Sequence, residues 1–160
     1  MIAYVTVGAD DMKSAQRFYD SFLPALGYAL DFYHGDLSYS LPRQVEGSFA
    51  LPEFYVKSPF NGDPATFGNG SMVAFEAYNQ EQVRRLHAAA VMAGGSDDGA
   101  PGFRDAYGAD FYVSYLRDPQ GNKIAIFSSH PDDPDAANDH PGRALTVTCD
   151  SNQSCSWHQC

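Results

Sequence analysis

The chain has 160 residues, of which 44% are hydrophobic and 14% aromatic, and this composition excludes an intrinsically disordered protein. Its length suffices for one domain, or for two half-domains that share a core. The formal net charge of −10 repels phosphate backbones, so nucleic acid is a poor partner, whereas a cationic small molecule would be favoured.

No apolar run approaches the roughly 20 residues that a transmembrane helix needs. Residues 1–5 contain neither the basic stretch nor the apolar stretch of a secretory signal. We therefore expect a cytoplasmic protein without a membrane partner. All three cysteines, Cys149, Cys155 and Cys160, lie in the last twelve residues, so no disulfide framework holds the globular part together.

The first part of the chain predicts the element order β-α-β-β-β. Residues 2–7 are a β-branched and aromatic run that predicts a strand, with Tyr4 and Thr6 on one face. Asp10 and Asp11 are suited to cap a helix, whose apolar residues recur at helical spacing until Gly27 ends it. Strands are then predicted at residues 28–33, 37–41 and 49–56.

Residues 57–70 are rich in Pro, Gly and Asn and predict a linker, after which the same order repeats. Residues 71–77 predict a strand, and Asn79 with Gln82 forms a capping-box pattern at the start of a helix that Gly94 ends. A short extended piece is expected at residues 102–104. Strands at residues 111–117 and 123–127 are joined by a turn whose Pro and Gly suit a tight reversal.

The repeat of element order at a period of roughly 65 to 70 residues indicates an internal duplication. The predicted fold class is α+β, with two βαβββ modules at about residues 1–58 and 70–128. Such modules can pair into a curved half-open barrel, with the helices outside and a concave pocket inside. Residues 129–160 predict a polar, irregular C-terminal tail, in which only residues 145–148 are expected to add a strand.

Several short segments have a distinctive composition and order. They are Val5 to Met12, Phe18-Tyr19-Asp20 and Leu26-Gly27-Tyr28 in the first module, and Gly70 to Phe75, Ala93-Gly94-Gly95, Asp98 to Gly102 and Tyr112 to Asn122 in the second. Together they resemble the glyoxalase/bleomycin-resistance/dioxygenase (vicinal oxygen chelate) superfamily over about residues 1–128. The resemblance implies paired βαβββ modules, a homodimer and, in the enzymes of the family, a divalent metal in the pocket.

The resemblance also implies where metal ligands would lie: a His on the first strand, a carboxylate or His late in the first module, a His or Glu opening the second module, and a Glu on the last strand. At three of these positions the sequence has Tyr4, Met72 and Ala125. A phenol, a thioether and a methyl group cannot replace two imidazoles and a carboxylate. We therefore predict that the usual metal is absent and that no cofactor is required.

Glu53 is the one residue of this sequence that matches a ligand position of the first module. A divalent metal held by a shifted set, Glu53, Glu76 and His34, is the alternative. Glu53 and Glu76 could also bind a cation, or act as general acid and base if burial raised one pKa; two solvated carboxylates are the plainer interpretation.

Strand alternation predicts which side chains line the pocket. Tyr4 would donate a hydrogen bond and Met72 would give apolar contact, although plain core packing would explain the same pattern. The predicted pocket residues are Tyr4, Thr6, Glu53, Met72, Ala74, Glu76, Tyr112 and Ala125.

Other residues carry weaker hypotheses. His34 is interpreted as a surface residue in a turn and His87 as a structural residue on the second helix, and neither belongs to a recognisable hydrolase triad. An aromatic cluster, either a pocket wall or core, consists of Phe103, Tyr107, Phe111, Tyr112 and Tyr115. The Cys and His residues of the tail match no standard zinc spacing.

Three functions remain open on the sequence. The first is binding of a small organic molecule, cationic or aromatic, without a metal. The second is a glyoxalase-like lyase, an isomerase or a dioxygenase with the shifted ligand set. The third is a non-catalytic interaction scaffold.

Overall fold

The computed structural model describes residues 2–42 and 52–130, and the backbone of two short strands at residues 146–149 and 155–158. The helices and strands in these ranges are β1 (Tyr4–Gly8), α1 (Met12–Asp20), β2 (Ala29–Tyr33), β3 (Asp36–Ser40), β4 (Glu53–Lys57), β5 (Val73–Glu76), α2 (Gln80–Met92), β6 (Ser96–Phe103), β7 (Tyr112–Arg117), β8 (Lys123–Ser128), β9 (Thr146–Cys149) and β10 (Cys155–His158). None of the described helices is long and apolar enough to span a bilayer.

The strands β1 to β8 form two four-stranded sheets of identical topology. Sheet 1 has the order β1-β4-β3-β2, and sheet 2 has the order β5-β8-β7-β6. In each sheet the first and last strands pair in parallel, β1 with β4 and β5 with β8, and the other pairs are antiparallel. The predicted α+β fold of two βαβββ modules is therefore confirmed. We call residues 4–57 module 1 and residues 73–128 module 2.

Each helix begins at the N-cap that the sequence predicts. Asp11 accepts hydrogen bonds from the backbone N–H groups of Lys13 and Ser14, both at 3.0 Å, and the hydrogen bond from the Ser14 side chain is the main cause of the lowered pKa of Asp11. Asn79 accepts from the backbone N–H of Gln82 at 2.8 Å. The Gln82 side chain reaches back to the backbone N–H just before the cap, at 2.6 Å. The capping-box pattern thus fixes the start of α2.

The two modules share one hydrophobic core beneath the helices. The Phe75 ring of β5 lies edge-on against Phe22, which follows α1, at a centroid distance of 5.7 Å, and against Phe54 of β4 at 5.3 Å. All three side chains are buried, and burial of a Phe stabilises a fold by roughly 1.5–3 kcal/mol. Separating the modules would expose this junction to water.

A buried carboxylate in the turn between β7 and β8 also joins the modules. Asp118 accepts hydrogen bonds from the Tyr19 hydroxyl of α1 at 2.7 Å and from the Asn122 side chain at 2.8 Å. The Asn122 side chain also donates to the Gly8 carbonyl at the end of β1, at 2.9 Å. Burial and the Asp118 carboxylate raise the pKa of Tyr19, so this phenol remains a hydrogen-bond donor. The predicted tight turn therefore also holds module 2 against module 1.

Three strands differ from the prediction. The sequence predicts only residues 102–104 as extended, but β6 covers Ser96–Phe103. This segment does not alternate apolar and polar residues, and pairing with β7 holds it in an extended conformation. Register shifts within the pairing mark its β-bulges. In the tail, β10 pairs antiparallel with β9, so residues 145–148 are not the only strand-forming segment there. β4 covers Glu53–Lys57, and part of the predicted strand at residues 49–56 lies outside the described residues.

Candidate functional site

The helices cover only one face of each sheet. In β4, Phe54 is buried in the shared core, so Tyr55 lies on the opposite face. In β8, Ile124 and Ile126 belong to the core, so Ala125 lies on the opposite face. We call these two uncovered surfaces the open face of sheet 1 and the open face of sheet 2.

Three predicted pocket residues, Tyr4, Thr6 and Glu53, lie together on the open face of sheet 1. The register of β1 and β4 pairs Tyr4 with Glu53 and Thr6 with Tyr55. Tyr4 is 63% exposed, and its ring lies edge-on to Tyr55 at a centroid distance of 5.8 Å. The Tyr55 hydroxyl donates to the Glu53 carboxylate, and this hydrogen bond raises the pKa of Tyr55. Two tyrosine side chains and the Glu53 side chain therefore lie together on this face.

A hollow of about 680 Å³ opens beside Thr6, where sheet 1 meets the linker. Its wall contains Lys57 and Asp36, which form an ion pair with Nζ and Oδ2 3.4 Å apart. The Lys57 ammonium also lies 5.7 Å from the centroid of the Tyr55 ring. Val7, Gly8 and linker residues between 58 and 66 form the rest of the wall. The volume is in the range of small-molecule sites, about 300–1,000 Å³.

Four further predicted pocket residues lie on the open face of sheet 2 or at its edge. Ala74 of β5 pairs with Ala125 of β8, and alternation places Met72 and Glu76 on the same face as Ala74. Met72 is 48% exposed, whereas Ala125 is 1% exposed. Glu76 also lines a second hollow, of about 450 Å³, whose wall contains His130. The structure thus places the eight predicted residues in two groups, one on each sheet, with one exception.

Tyr112 is the exception, because it lies on the covered face of sheet 2. It is buried in the core, and the guanidinium carbon of Arg84 in α2 lies 5.7 Å from its ring centroid. Tyr115, three residues later in the same strand, lies on the open face instead. Both faces of β7 are largely buried, so its sequence does not show which of the two tyrosines faces outward.

Two cations lie over the Tyr115 ring, and a third joins them through Asp98. The Lys123 ammonium lies 4.9 Å and the Arg104 guanidinium carbon 5.7 Å from the centroid of its ring. Asp98 accepts hydrogen bonds from Lys123 and from Arg117, with N to O distances of 3.0 Å. The hydrogen bond from Lys123 is the main cause of the lowered pKa of Asp98. We call these five residues the cation cluster of sheet 2.

The duplicated topology shows which residues hold equivalent positions in the two modules. The last residues of β1 and β5 each lie four residues before the first residue of the following helix. Counting back along the two strands, Tyr4 is equivalent to Met72, and Thr6 is equivalent to Ala74. Because Thr6 pairs with Tyr55 and Ala74 with Ala125, Tyr55 is the counterpart of Ala125.

Sequence reasoning assigned the first module's last ligand position to Glu53, which lies two residues from Tyr55 in the same strand. The four equivalent positions therefore hold Tyr4, Tyr55, Met72 and Ala125, which supply two phenols, a thioether and a methyl group. These side chains do not suit the usual Fe, Mn, Ni or Zn site, because such a site requires imidazole and carboxylate ligands.

The shifted ligand set is also not assembled. Among the described residues, no three His, Cys, Asp or Glu side chains lie together in a way that could hold a metal ion. His34 lies in the turn between β2 and β3, with a φ of 52° and its ring 4.4 Å from that of Tyr33. His87 lies in α2, where it is buried, and contacts the Asp97 carboxylate at 3.1 Å.

Sequence reasoning missed four residues of the open faces: Tyr55, Lys57, Lys123 and Arg104. Alternation from Glu53 could have found Tyr55 and Lys57, since all three lie in β4 on one face. Lys123 precedes Ala125 by two residues in β8, so alternation places it on the same face as Ala125. Arg104 follows β6, and nothing local indicates that it lies over Tyr115.

The chain is similar to many solved structures of one family. It is 37% identical to a glyoxalase/bleomycin resistance protein from Albidiferax ferrireducens T118, with 80% of this chain and 98% of that chain covered and a TM-score of 0.69. A glyoxalase-related enzyme from Fulvimarina pelagi is 18% identical, with 98% and 96% covered and a TM-score of 0.61. Lactoylglutathione lyase from Agrobacterium tumefaciens is 19% identical, with 80% and 92% covered and a TM-score of 0.53. The last two share the fold with this chain.

No family model matches the sequence, and no curated protein is significantly similar to it. The 37% identity to the Albidiferax ferrireducens protein, however, extends over 98% of that chain. Together with the two βαβββ modules, it confirms the resemblance that the sequence motifs indicate. The chain belongs to the glyoxalase/bleomycin resistance/dioxygenase family.

Proposed function

We propose that the protein binds a small organic molecule on the open faces of its two sheets, without the divalent metal of the family's enzymes and without another cofactor. One observation carries the proposal: the four positions equivalent to metal ligands hold Tyr4, Tyr55, Met72 and Ala125. Tyr4 and Met72 are 63% and 48% exposed. These positions thus combine access for a ligand with side chains suited to hydrogen bonding and apolar contact instead of metal coordination.

The hollow beside Thr6 supports this proposal. Its volume of about 680 Å³ suits a small molecule, and its wall combines the Lys57–Asp36 ion pair with hydroxyl groups and the apolar linker. A ligand there would reach Tyr55 across one strand, because Thr6 and Tyr55 pair in register.

We further propose that the binding site is completed in a homodimer. β1 and β5 are edge strands of their sheets, so their outer backbone groups are open to pairing with another strand. On the open face of sheet 1, Glu53 and Asp36 outnumber Lys57, whereas the cations of the cation cluster outnumber Asp98 and Glu76 on that of sheet 2. These charges are complementary between sheet 1 of one chain and sheet 2 of another. Light scattering during gel filtration should give twice the 17.5 kDa of one chain; a monomer at all concentrations would contradict the dimer.

Metal analysis of protein purified without an affinity tag tests the absence of a metal. We expect far less than one Fe, Mn, Ni or Zn ion per chain. Glu53→Gln and Glu76→Gln should leave the number of metal ions per chain unchanged. A stoichiometric metal that either substitution removes would overturn the proposal and favour the shifted ligand set.

A thermal-shift screen over small aromatic and charged molecules tests binding. A ligand at 100 times its dissociation constant adds about 2.7 kcal/mol of stability. Met72→Ala should reduce the shift, because Met72 lies on the open face, while Met92→Ala serves as the matched control. Met92 is 88% exposed at the end of α2, on the covered side of the sheet. If no compound of any charge class stabilises the protein, small-molecule binding is wrong.

A further inference from the structure

We propose that the open face of sheet 2 recognises an amphipathic anion, a small molecule with a carboxylate or phosphate at one end and an apolar aryl or alkyl group at the other. This inference rests on the proposed small-molecule binding and names the class of ligand. The argument follows from the register of β7 and β8, which sets the order of side chains along this face.

The two strands contribute three cross-strand pairs to the open face, and each pair has a different chemistry. From one end to the other the pairs are Arg117 with Lys123, Tyr115 with Ala125, and Val113 with Phe127. The face therefore changes from cationic, through a ring beside a methyl group, to apolar. Lys123 and Phe127 are four residues apart in one strand, a distance of about 13 Å, which matches a ligand of roughly ten atoms in length.

The cationic end has more positive than negative charge. Asp98 is shared between Arg117 and Lys123, and Arg104 adds a third cation whose nitrogens donate to the carbonyls of Phe103 and Ala100. The side chains of Arg117 and Lys123 are about one third exposed, so they are held in place and still reach solvent. A protein with a net charge of −10 here presents a locally positive surface, which attracts an anion.

The middle of the face carries small residues next to one aromatic ring. On either side of Tyr115, the neighbouring strands carry only small residues, Ala125 and Ala74 on one side and Gly99 on the other. A Cβ atom added at Gly99 would lie 2.8 Å from the Tyr115 ring, so only glycine allows this close approach. The Tyr115 ring is half-buried and is therefore the large side chain that a ligand would contact in the middle of this face.

The far end of the face is apolar and carries one negative charge at its edge. The Phe127 ring stacks on Phe111 at a centroid distance of 5.4 Å, and Phe127 pairs across the strands with the buried Val113. Glu76 of β5 pairs with Phe127 and is exposed. Its carboxylate would repel an anionic group at this end, so both ends of the face orient the ligand the same way.

The probes are three phenylalkyl compounds of similar length: 4-phenylbutyrate, 3-phenylpropyl phosphate and 4-phenylbutylamine. Isothermal calorimetry with the full chain should show binding of the two anions and none of the amine. The carboxylate and phosphate arms identify the preferred head group. Raising the NaCl concentration should weaken the binding, because the attraction is electrostatic.

Two lysine variants test whether the anion contacts this face. Lys123→Met should weaken binding of the preferred anion at least tenfold, whereas Lys13→Met should change it less than twofold. Lys13 is the control, since it removes the same charge from an exposed position on α1, away from both open faces. Thermal melts of both variants would show that each is folded.

The outcomes also distinguish this inference from the proposed function. If the amine or neutral aromatics bind and the anions do not, the anion inference is wrong while small-molecule binding stands. If the anions bind and Lys13→Met weakens their binding as much as Lys123→Met does, the effect comes from the overall charge of the protein and the inference is likewise wrong. If no probe and no screened compound binds, the proposed function fails together with it.

Discussion

The two open faces contain the same chemical unit in different surroundings. On sheet 1, Lys57 lies over Tyr55 and pairs with Asp36. On sheet 2, a lysine over Tyr115 pairs with Asp98 in the same way. The two units do not occupy equivalent positions, since the counterpart of Tyr55 is Ala125.

The difference lies in the charges around each unit. On sheet 1 the neighbouring charged residue is Glu53, a carboxylate that accepts from Tyr55. On sheet 2 the neighbours are Arg104 and Arg117, which leave the cluster positive. A duplicated fold thus offers two open faces of opposite local charge, and the net charge, which favours a cationic ligand, does not describe the face of sheet 2.

The comparison requires that the two modules form one folding unit, and Asp118→Ala is the strongest test of that. The substitution removes a buried carboxylate and leaves the Tyr19 hydroxyl without its partner. We expect a loss of about 3 kcal/mol in the free energy of unfolding, with both modules still unfolding in one transition. Denaturation followed by circular dichroism and by fluorescence measures it. Asp98→Ala, at the surface, should leave the stability nearly unchanged; two separate transitions in the wild type would break the comparison.

The equivalent positions Thr6 and Ala74 allow a sharper test of the two faces. Ala74→Phe adds a ring beside Ala125 on the open face of sheet 2 and should weaken binding of the phenylalkyl anion at least tenfold in calorimetry. Thr6→Phe places the same ring at the matching position of sheet 1 and should leave anion binding within twofold. Both residues are exposed, so neither change should unfold the protein. Equal losses in both variants would show that the two faces form one site for this ligand.

The N-caps of the two helices offer a comparison through pH. Asn79→Ala should lower stability by about 1 kcal/mol, independently of pH. Asp11→Ala should lower the melting temperature at pH 7 but have less effect in acid. The folded-state pKa of Asp11 is lowered, so its contribution is complete above the usual value of 3.8 and disappears as the pH falls through the folded value. An Asp11→Ala effect that persists at pH 2 would contradict the role of the charged cap.

The smallest expected effect is on the carboxyl group of Asp98. Its pKa is lowered by Lys123 first and by Arg117 as well. In Lys123→Met, we expect the pKa of Asp98 to rise towards 3.8 while remaining below it, because Arg117 still donates. A carbon-detected NMR titration of wild type and variant measures this shift. An unchanged pKa would show that the lysine does not hold Asp98 in solution.

Much of the fold can be predicted from the sequence because its signals are local. The N-caps Asp11 and Asn79 and the turn at Asp118 are read from short patterns, and their repetition reveals the duplication. β6 could not be predicted in full, since pairing with β7, and not its own alternation, holds Asp97 and Asp98 in an extended conformation.

The candidate site was predicted less completely, and one strand shows why. In β7 the side chains on both faces are largely buried, so hydrophobic alternation does not distinguish Tyr112 from Tyr115. If the alternation is assigned one residue too early or too late, every side chain of the strand is placed on the wrong face of the sheet. Arg104 reaches Tyr115 from outside β7, and no spacing rule indicates such a contact. Tyr4, Thr6, Glu53, Met72, Ala74, Glu76 and Ala125, by contrast, lie on the open faces or at their edges.

The turn at residues 118–122 has a consequence for the history and the handling of this protein. Asp118 accepts a hydrogen bond from Tyr19 of module 1, and Asn122 donates one to the Gly8 carbonyl of module 1. Neither module would therefore keep all of its hydrogen bonds alone. Cleaving the chain within residues 58–70 should give two fragments that remain associated in native buffer and that aggregate once they are separated. An ancestral single unit would have needed a second copy of itself to provide these partners.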